Sequence, residues 1–201
     1  MIRVPLRNQL KSVWSGRVRH DYGKHRINSE RSLQASLWAG LWQEFENAGW
    51  EKQRRILVEP IMFLGEEKSE RRFRPDLVIC NRRSIIAVIE VKYRPHRLPH
   101  PEHPFAKDFE CLSTMSTAQG TENIHFLDFR YRGALRRKKR FHLNKETLFV
   151  WCGFYRMEGD GTEPFDIASV TSRHAKLKGK ILTLHAVTHD GAPPSYVSQD
   201  N

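Results

Sequence analysis

Two apolar segments, "DLVIC" at 76–80 and "IIAVIEVKY" at 85–93, joined by the polar turn "NRRS", constrain the fold of this 201-residue chain more than any other feature. In the second segment Ile86 and Val88 occupy one alternating face and Ile85, Ala87 and Ile89 the other, so the strand must be covered on both sides. That predicts a hairpin at the centre of a sheet with helices on its faces. Three charges mark the ends of these runs: Asp76 opens the first, and Glu90 and Lys92 close the second. Two positions apart on a strand, Glu90 and Lys92 leave the same face, where the buried run reaches solvent. With hairpin strands about 4.8 Å apart, some registers bring Asp76 beside Glu90.

The remaining pattern supplies the layers. Leu33, Leu37, Leu41, Phe45 and Ala48 recur at helical spacing from Ser29, with Trp38 and Trp42 beside them as expected core aromatics. Ser29 or Asn28 can cap this helix and Gly49 can end it. "RRILVEPIMFLG" predicts one further strand, closed by Gly65 and a polar turn. The four prolines of "YRPHRLPHPEHP" exclude regular structure. Phe105, Phe109, Leu112 and Met115 give a second helix, "TLFVWCGFY" a buried strand, "ASVTSRHAKLKG" a helix and "ILTLHAVTH" a final strand. The expected organisation is a basic N-terminal arm at 1–28, a single domain at 29–190 and a loose tail at 191–201. The expected class is α/β, a central mixed sheet flanked by helices.

Charge narrows the partner. A formal net charge of +11 and a pI near 9.9 favour a polyanion, nucleic acid first, because cationic side chains set against phosphates release counterions. The stretch Arg130–Lys145 holds eight Lys or Arg and no acid, with Tyr131 and Phe141 interleaved. Arg130, Arg132, Arg136, Arg137, Lys138, Lys139 and Arg140 are therefore the expected backbone contacts, and the aromatics can stack on unpaired bases. No apolar run suits a membrane span or a secretion signal, so a cytoplasmic or other intracellular site is expected. Cys80, Cys111 and Cys152 are too scattered for a disulfide framework or a CxxC zinc site.

Two carboxylates brought together at a sheet edge repel and are costly there unless a cation lies between them. Oxygen ligands of this kind suit Mg²⁺, with Mn²⁺ as a substitute, and a Lys alongside can orient a water or stabilise charge growing on a phosphoryl group. Pro75 and Asp76, thirteen intervening residues, then Glu90, Val91 and Lys92 resemble the motif of the PD-(D/E)XK nuclease superfamily. The resemblance spans about Asn28 to Ala118 in element order. It implies a restriction-endonuclease-like αβββαβ core and metal-dependent cleavage of nucleic acid, usually DNA, leaving 5′-phosphate. By the same resemblance Asp76 and Glu90 would hold metal together with the Val91 carbonyl, and Lys92 would position or activate the water. Many members add a Glu from the first helix, and Glu30 matches by position. Helical geometry agrees, since Glu30 falls in the arc of Leu33, Leu37 and Leu41.

Other features carry less. Glu59 in "LVEPI" is a weaker candidate ligand, and with Pro60 it also fits a bend. His96, His100 and His103 lack a Cys partner and a helix to align them, so a substrate-facing loop is expected there rather than zinc. The helix after the motif has no QxxxY, and neither a Walker loop nor a GxSxG elbow occurs. The expected function is a Mg²⁺-dependent endonuclease acting on DNA in preference to RNA. A chain of this size would cut both strands as a homodimer or with a partner subunit. The competing expectation is a non-catalytic or partner-dependent nucleic-acid-binding module on the same fold. A basic structural protein of a ribonucleoprotein would leave the motif accidental.

Overall fold

The hairpin expected from the apolar pattern lies in the middle of the larger of two sheets. The computed structural model describes residues 3–64, 71–99, 105–120, 124–128, 137–157, 164–189 and 192–200. Helix α1 (Arg3–Val13) runs through a π-helical turn, Trp14–Val18, into α2 (Arg19–Gly23), and α3 (Glu30–Asn47) follows. Strands β1 (Arg55–Val58), β2 (Met62–Leu64), β3 (Arg71–Phe73), β4 (Leu77–Cys80) and β5 (Ser84–Arg94) precede helix α4 (Ala106–Thr117). Strands β6 (Ile124–Asp128), β7 (Arg137–Arg140) and β8 (His142–Arg156) lead to α5 (Ile167–Arg173), then β9 (Ile181–His189) and β10 (Ala192–Asp200).

The larger sheet has the order β1-β4-β5-β8-β9-β10, and the smaller β3-β2-β6-β7. Strands β5, β8 and β9 run parallel, while β4 and β10 pair antiparallel at either side of them. One face carries Ala87, Ile89 and Val91 against Leu33, Leu37 and Leu41 of α3 and Leu6 and Leu10 of α1. The other packs Ile85 and Val88 against Phe109, Leu112 and Met115 of α4. The protein is thus α/β, with a central mixed sheet flanked by helices.

Strict alternation along β5 fails at one place. Ile85 lies on the α4 face, whereas Ile86, Ala87 and Ile89 all lie on the α3 face. The ladder to β8 shifts between Ile85 and Ala87, a bulge that inserts one residue and turns the sequence over. Beyond it Val88, Glu90 and Lys92 keep one face, which preserves the expected pairing of the two charged positions.

Four segments differ from the sequence expectation, each for a physical reason. The N-terminal stretch is helical rather than a loose arm: Leu6, Leu10, Val13, Trp14 and Val18 are buried, and Arg7 and Lys11 pair with Asp200 on β10. Gly40 lets α3 approach closely, because an added Cβ would lie 2.5 Å from Val13 Cγ1. The run at 54–65 is two strands in different sheets, broken at Glu59, whose φ of 44° is left-handed, and at Pro60, which has no N–H to donate. The expected tail contains β10, whose Pro193 and Pro194 fall at a register shift on an edge strand, where prolines are tolerated. Finally, Trp38 and Trp42 stack on each other at 5.9 Å, and Trp38 is 37% exposed, so the pair lies outside the core.

The three cysteines are thiols, two of them buried. Among the described residues no helix is long and apolar enough to cross a membrane. Arg137–Arg140 form β7 beside β6, while Arg130, Arg132 and Arg136 lie outside the described residues, as do His100 and His103.

Candidate active site

Antiparallel pairing of Leu77 with Ile89 places Asp76, one residue before β4, opposite Glu90 on β5. Asp76 is fixed from two directions. The Gln34 amide of α3 donates to Oδ1 at 2.6 Å, and the Val91 backbone N–H donates to Oδ2 at 2.6 Å. Each carboxylate oxygen retains a second lone pair for another partner.

Glu90 is 8% exposed and accepts a weak hydrogen bond from Cys111 Sγ at 3.5 Å. Burial, with the charges of Asp76 and Asp108 added, pushes its carboxyl up to about 8. Asp76 is also raised, first by burial and then by Glu30, against the Val91 N–H and Lys92, which favour its charge. Asp76 and Glu90 face each other across the β4–β5 ladder, and the Asp76 charge adds to burial in holding the Glu90 proton. With its carboxyl pushed up to about 8, Glu90 keeps its proton at neutral pH in the metal-free protein.

Lys92 Nζ lies 3.6 Å from Glu30 Oε1 and 3.5 Å from Asp108 Oδ1. Burial alone would lower its pKa, but Asp108, Glu30, Asp76 and Glu90 together outweigh burial and raise it. An ammonium held charged in this way cannot accept a proton from water near neutral pH. It can orient a water or stabilise developing negative charge.

Helix positions explain who arrives at the site. Ser29 caps α3 in a reciprocal capping box with Ser32, so the first turn is fixed and Glu30 projects from it. Gln34 is one turn further on the same face. Asp108 stands in the first turn of α4, 8% exposed, and accepts from Trp151 Nε1 at 3.3 Å. Its carboxyl is raised, by burial above all, although Lys92 and the Trp151 bond pull it down. A cleft of about 440 Å³ opens here, lined by Arg72, Phe73, Arg74, Glu90, Asp108 and Cys111 among others. It is large enough to admit a phosphoryl group and its neighbours, with Arg72 and Arg74 on the rim.

The structure thus brings Glu30, Asp76, Glu90, Val91 and Lys92 into one cluster. Val91 joins through its N–H. Glu59 is not in the cluster: it pairs with Arg74 at 2.6 Å. Gln34, Asp108 and Cys111 were not singled out by the sequence, yet Asp108 carries a legible signal, an acid on the arc of Phe105, Phe109 and Leu112.

Among the described residues no three His, Cys, Asp or Glu are arranged to ligate one ion. The donor set available to a cation is the Asp76–Glu90 pair. Mg²⁺ is held by one or two carboxylates and keeps most of its waters, so two carboxylates suit it where a closed cage would be needed for zinc. The raised carboxyls of Asp76 and Glu90, facing each other across the ladder, mark where a divalent cation would relieve repulsion.

No protein-family model matches the chain, and no curated protein matches it. Among solved structures it is similar to SfsA of Pyrococcus furiosus, determined in complex with Ca²⁺. That alignment has 15% identity and a TM-score of 0.38, and covers 82% of this chain and 61% of SfsA. The chain therefore spans less than two thirds of that protein's length.

Proposed function

We propose that the protein is a Mg²⁺-dependent endonuclease that hydrolyses phosphodiester bonds in nucleic acid, DNA in preference to RNA. The observation that carries this reading is the convergence of Asp76 and Glu90 across the β4–β5 ladder, with Lys92 beside them between Glu30 and Asp108. A divalent cation set between two buried carboxyls would favour the ionisation that burial opposes. Asp76 and Glu90 would hold the ion, which supplies Lewis-acid activation of water and of the phosphoryl oxygens.

The chain's own groups account for the rest. Gln34 and the Val91 N–H fix Asp76, and Glu90 would give up its proton to serve as the second ligand. Lys92, set between Glu30 and Asp108, would stabilise the negative charge that develops as phosphorus is attacked. Arg72 and Arg74 on the rim are the groups suited to hold the backbone. The competing reading, a binding module without turnover, draws on Lys92 being bracketed by two carboxylates, an arrangement that could serve a rigid scaffold equally well.

Cleavage of single-stranded, duplex and branched DNA and of RNA, with Mg²⁺, Mn²⁺ or chelator, separates the two. Metal-dependent cutting that disappears in Asp76→Ala and Lys92→Ala, while binding persists, is the expected result. Binding without cutting under every metal moves the assignment to the module.

A further inference from the structure

A second cleft of about 440 Å³ lies beyond the carboxyl ends of all three parallel strands. Pro95 follows β5, Arg156 ends β8, and Thr188 and His189 end β9. In open α/β sheets this is where ligands bind. Three histidines, His25, His96 and His189, come to its walls with Tyr22 and Arg156, and no Asp or Glu is among its described lining residues. The histidines do not converge as ligands of one metal ion. What they offer is a set of ring N–H donors around a guanidinium, which is the chemistry of an anion site.

His25 reaches this cleft because helix α2 ends there: its left-handed φ of 57° is a helix C-cap, in which the His25 N–H donates to the Tyr22 carbonyl and the Arg26 N–H to the Asp21 carbonyl, each at 2.9 Å.

Two short connections join this cleft to the active site. His25 is five residues before Glu30, and Pro95 is three residues after Lys92, about 10 Å along an extended strand. That reach matches about three nucleotides of rise along a nucleic-acid strand.

We propose that the cleft at His25, His96, His189 and Arg156 is a phosphate subsite, taking a phosphate of the same strand that is cut at Asp76, Glu90 and Lys92. The inference rests on the nuclease reading for the identity of the strand, and on the cleft itself for the chemistry. The subsite fixes the strand at a second point, so the scissile bond is placed by two anchors rather than one.

The test is made in chelator with Lys92→Ala protein, so that no cutting intervenes. Short oligonucleotides carrying single neutral methylphosphonates are titrated into this parent and into the same protein with His96→Ala and Arg156→Gln added. One neutral position should weaken the parent about tenfold and leave the added variant unchanged. The variant's salt dependence should fall by about one charge. Oligonucleotides with and without a terminal phosphate distinguish a strand end from an internal phosphodiester. On the unsubstituted protein, inorganic phosphate should shift the ring signals of His25, His96 and His189 in heteronuclear NMR, a readout independent of how the variants fold. Equal affinities and salt slopes with unmoved histidine signals overturn the site. Shifted histidines in a protein that binds no oligonucleotide keep the phosphate site and overturn its assignment to the strand. Neither result depends on whether the protein cuts, so failure of the nuclease reading is scored separately.

Discussion

Replacing Glu90 by Gln should stabilise the metal-free protein at alkaline pH. In the folded protein Glu90 keeps its proton to about 8, against an ordinary 4.5. Between those values the unfolded chain carries the charge and the folded protein the proton. The stabilisation is complete below about 4.5 and is lost as the pH rises through 8. At about 1.36 kcal/mol per pH unit, the window caps the loss at roughly 5 kcal/mol. Water entry, and Asp76 sharing the titration, reduce this to about 2 kcal/mol, or about 4–8 °C in Tm for a chain of this length. Thermal melts in chelator from pH 5 to 9 provide the assay. The melting temperatures of Glu90→Gln and wild type should draw together toward the acid end and separate steadily to pH 8, with the variant higher. Parallel curves would refute the claim that Glu90 is buried against Asp76 and Asp108 as a proton-holding carboxyl. Adding Mg²⁺ at pH 8 should raise the wild-type melt and leave the variant where it was.

Asp108→Asn removes the carboxylate that contributes most to holding Lys92 charged, so kcat should fall about tenfold with little change in KM, and the alkaline limb of the pH–rate profile should move to lower pH. Asp21→Ala should cost about 3 kcal/mol in urea unfolding, because the buried carboxylate accepts from Arg17, Arg26 and Ser36 and pins α2 to α3. Burial raises Asp21, but these partners and His20 hold it down at about 2, so its contribution is present above 3.8 and is lost as the pH falls through 2. Gly153→Ala should destabilise by several kcal/mol, since the new Cβ would lie 2.2 Å from the Trp151 ring on the same face of β8.

The hairpin at the centre of the sheet was legible because Ile85–Ile89 is apolar on both alternating faces, and only a strand covered on both sides accommodates that. Both carboxylates and the lysine were legible with it, as charges placed where that run ends. Helix α3 showed its stripe and its Ser29 cap. Other features depended on contacts that composition masks. Seven basic residues hide the stripe Leu6, Leu10, Val13 and Trp14, although its spacing is helical. The segment 191–201 reads as a loose tail, yet an edge strand accepts its Pro193 and Pro194 at a register shift. Asp108 and Gln34 enter the site from two helices on opposite faces of the sheet, and which side of a helix meets a strand's end is decided in three dimensions. Trp38 and Trp42 follow the helical repeat but sit beside the apolar arc rather than on it, and each covers the other's ring.

The claim that Asp76 and Glu90 are set against each other for a cation is tested most directly by calorimetric titration of Mg²⁺ in buffers of different ionisation enthalpy. Near pH 6.5 each ion bound should release close to one proton, the release should vanish above pH 9, and Glu90→Gln should show none. Mg²⁺ binding with no proton release at any pH, or release undiminished in Glu90→Gln, would contradict it.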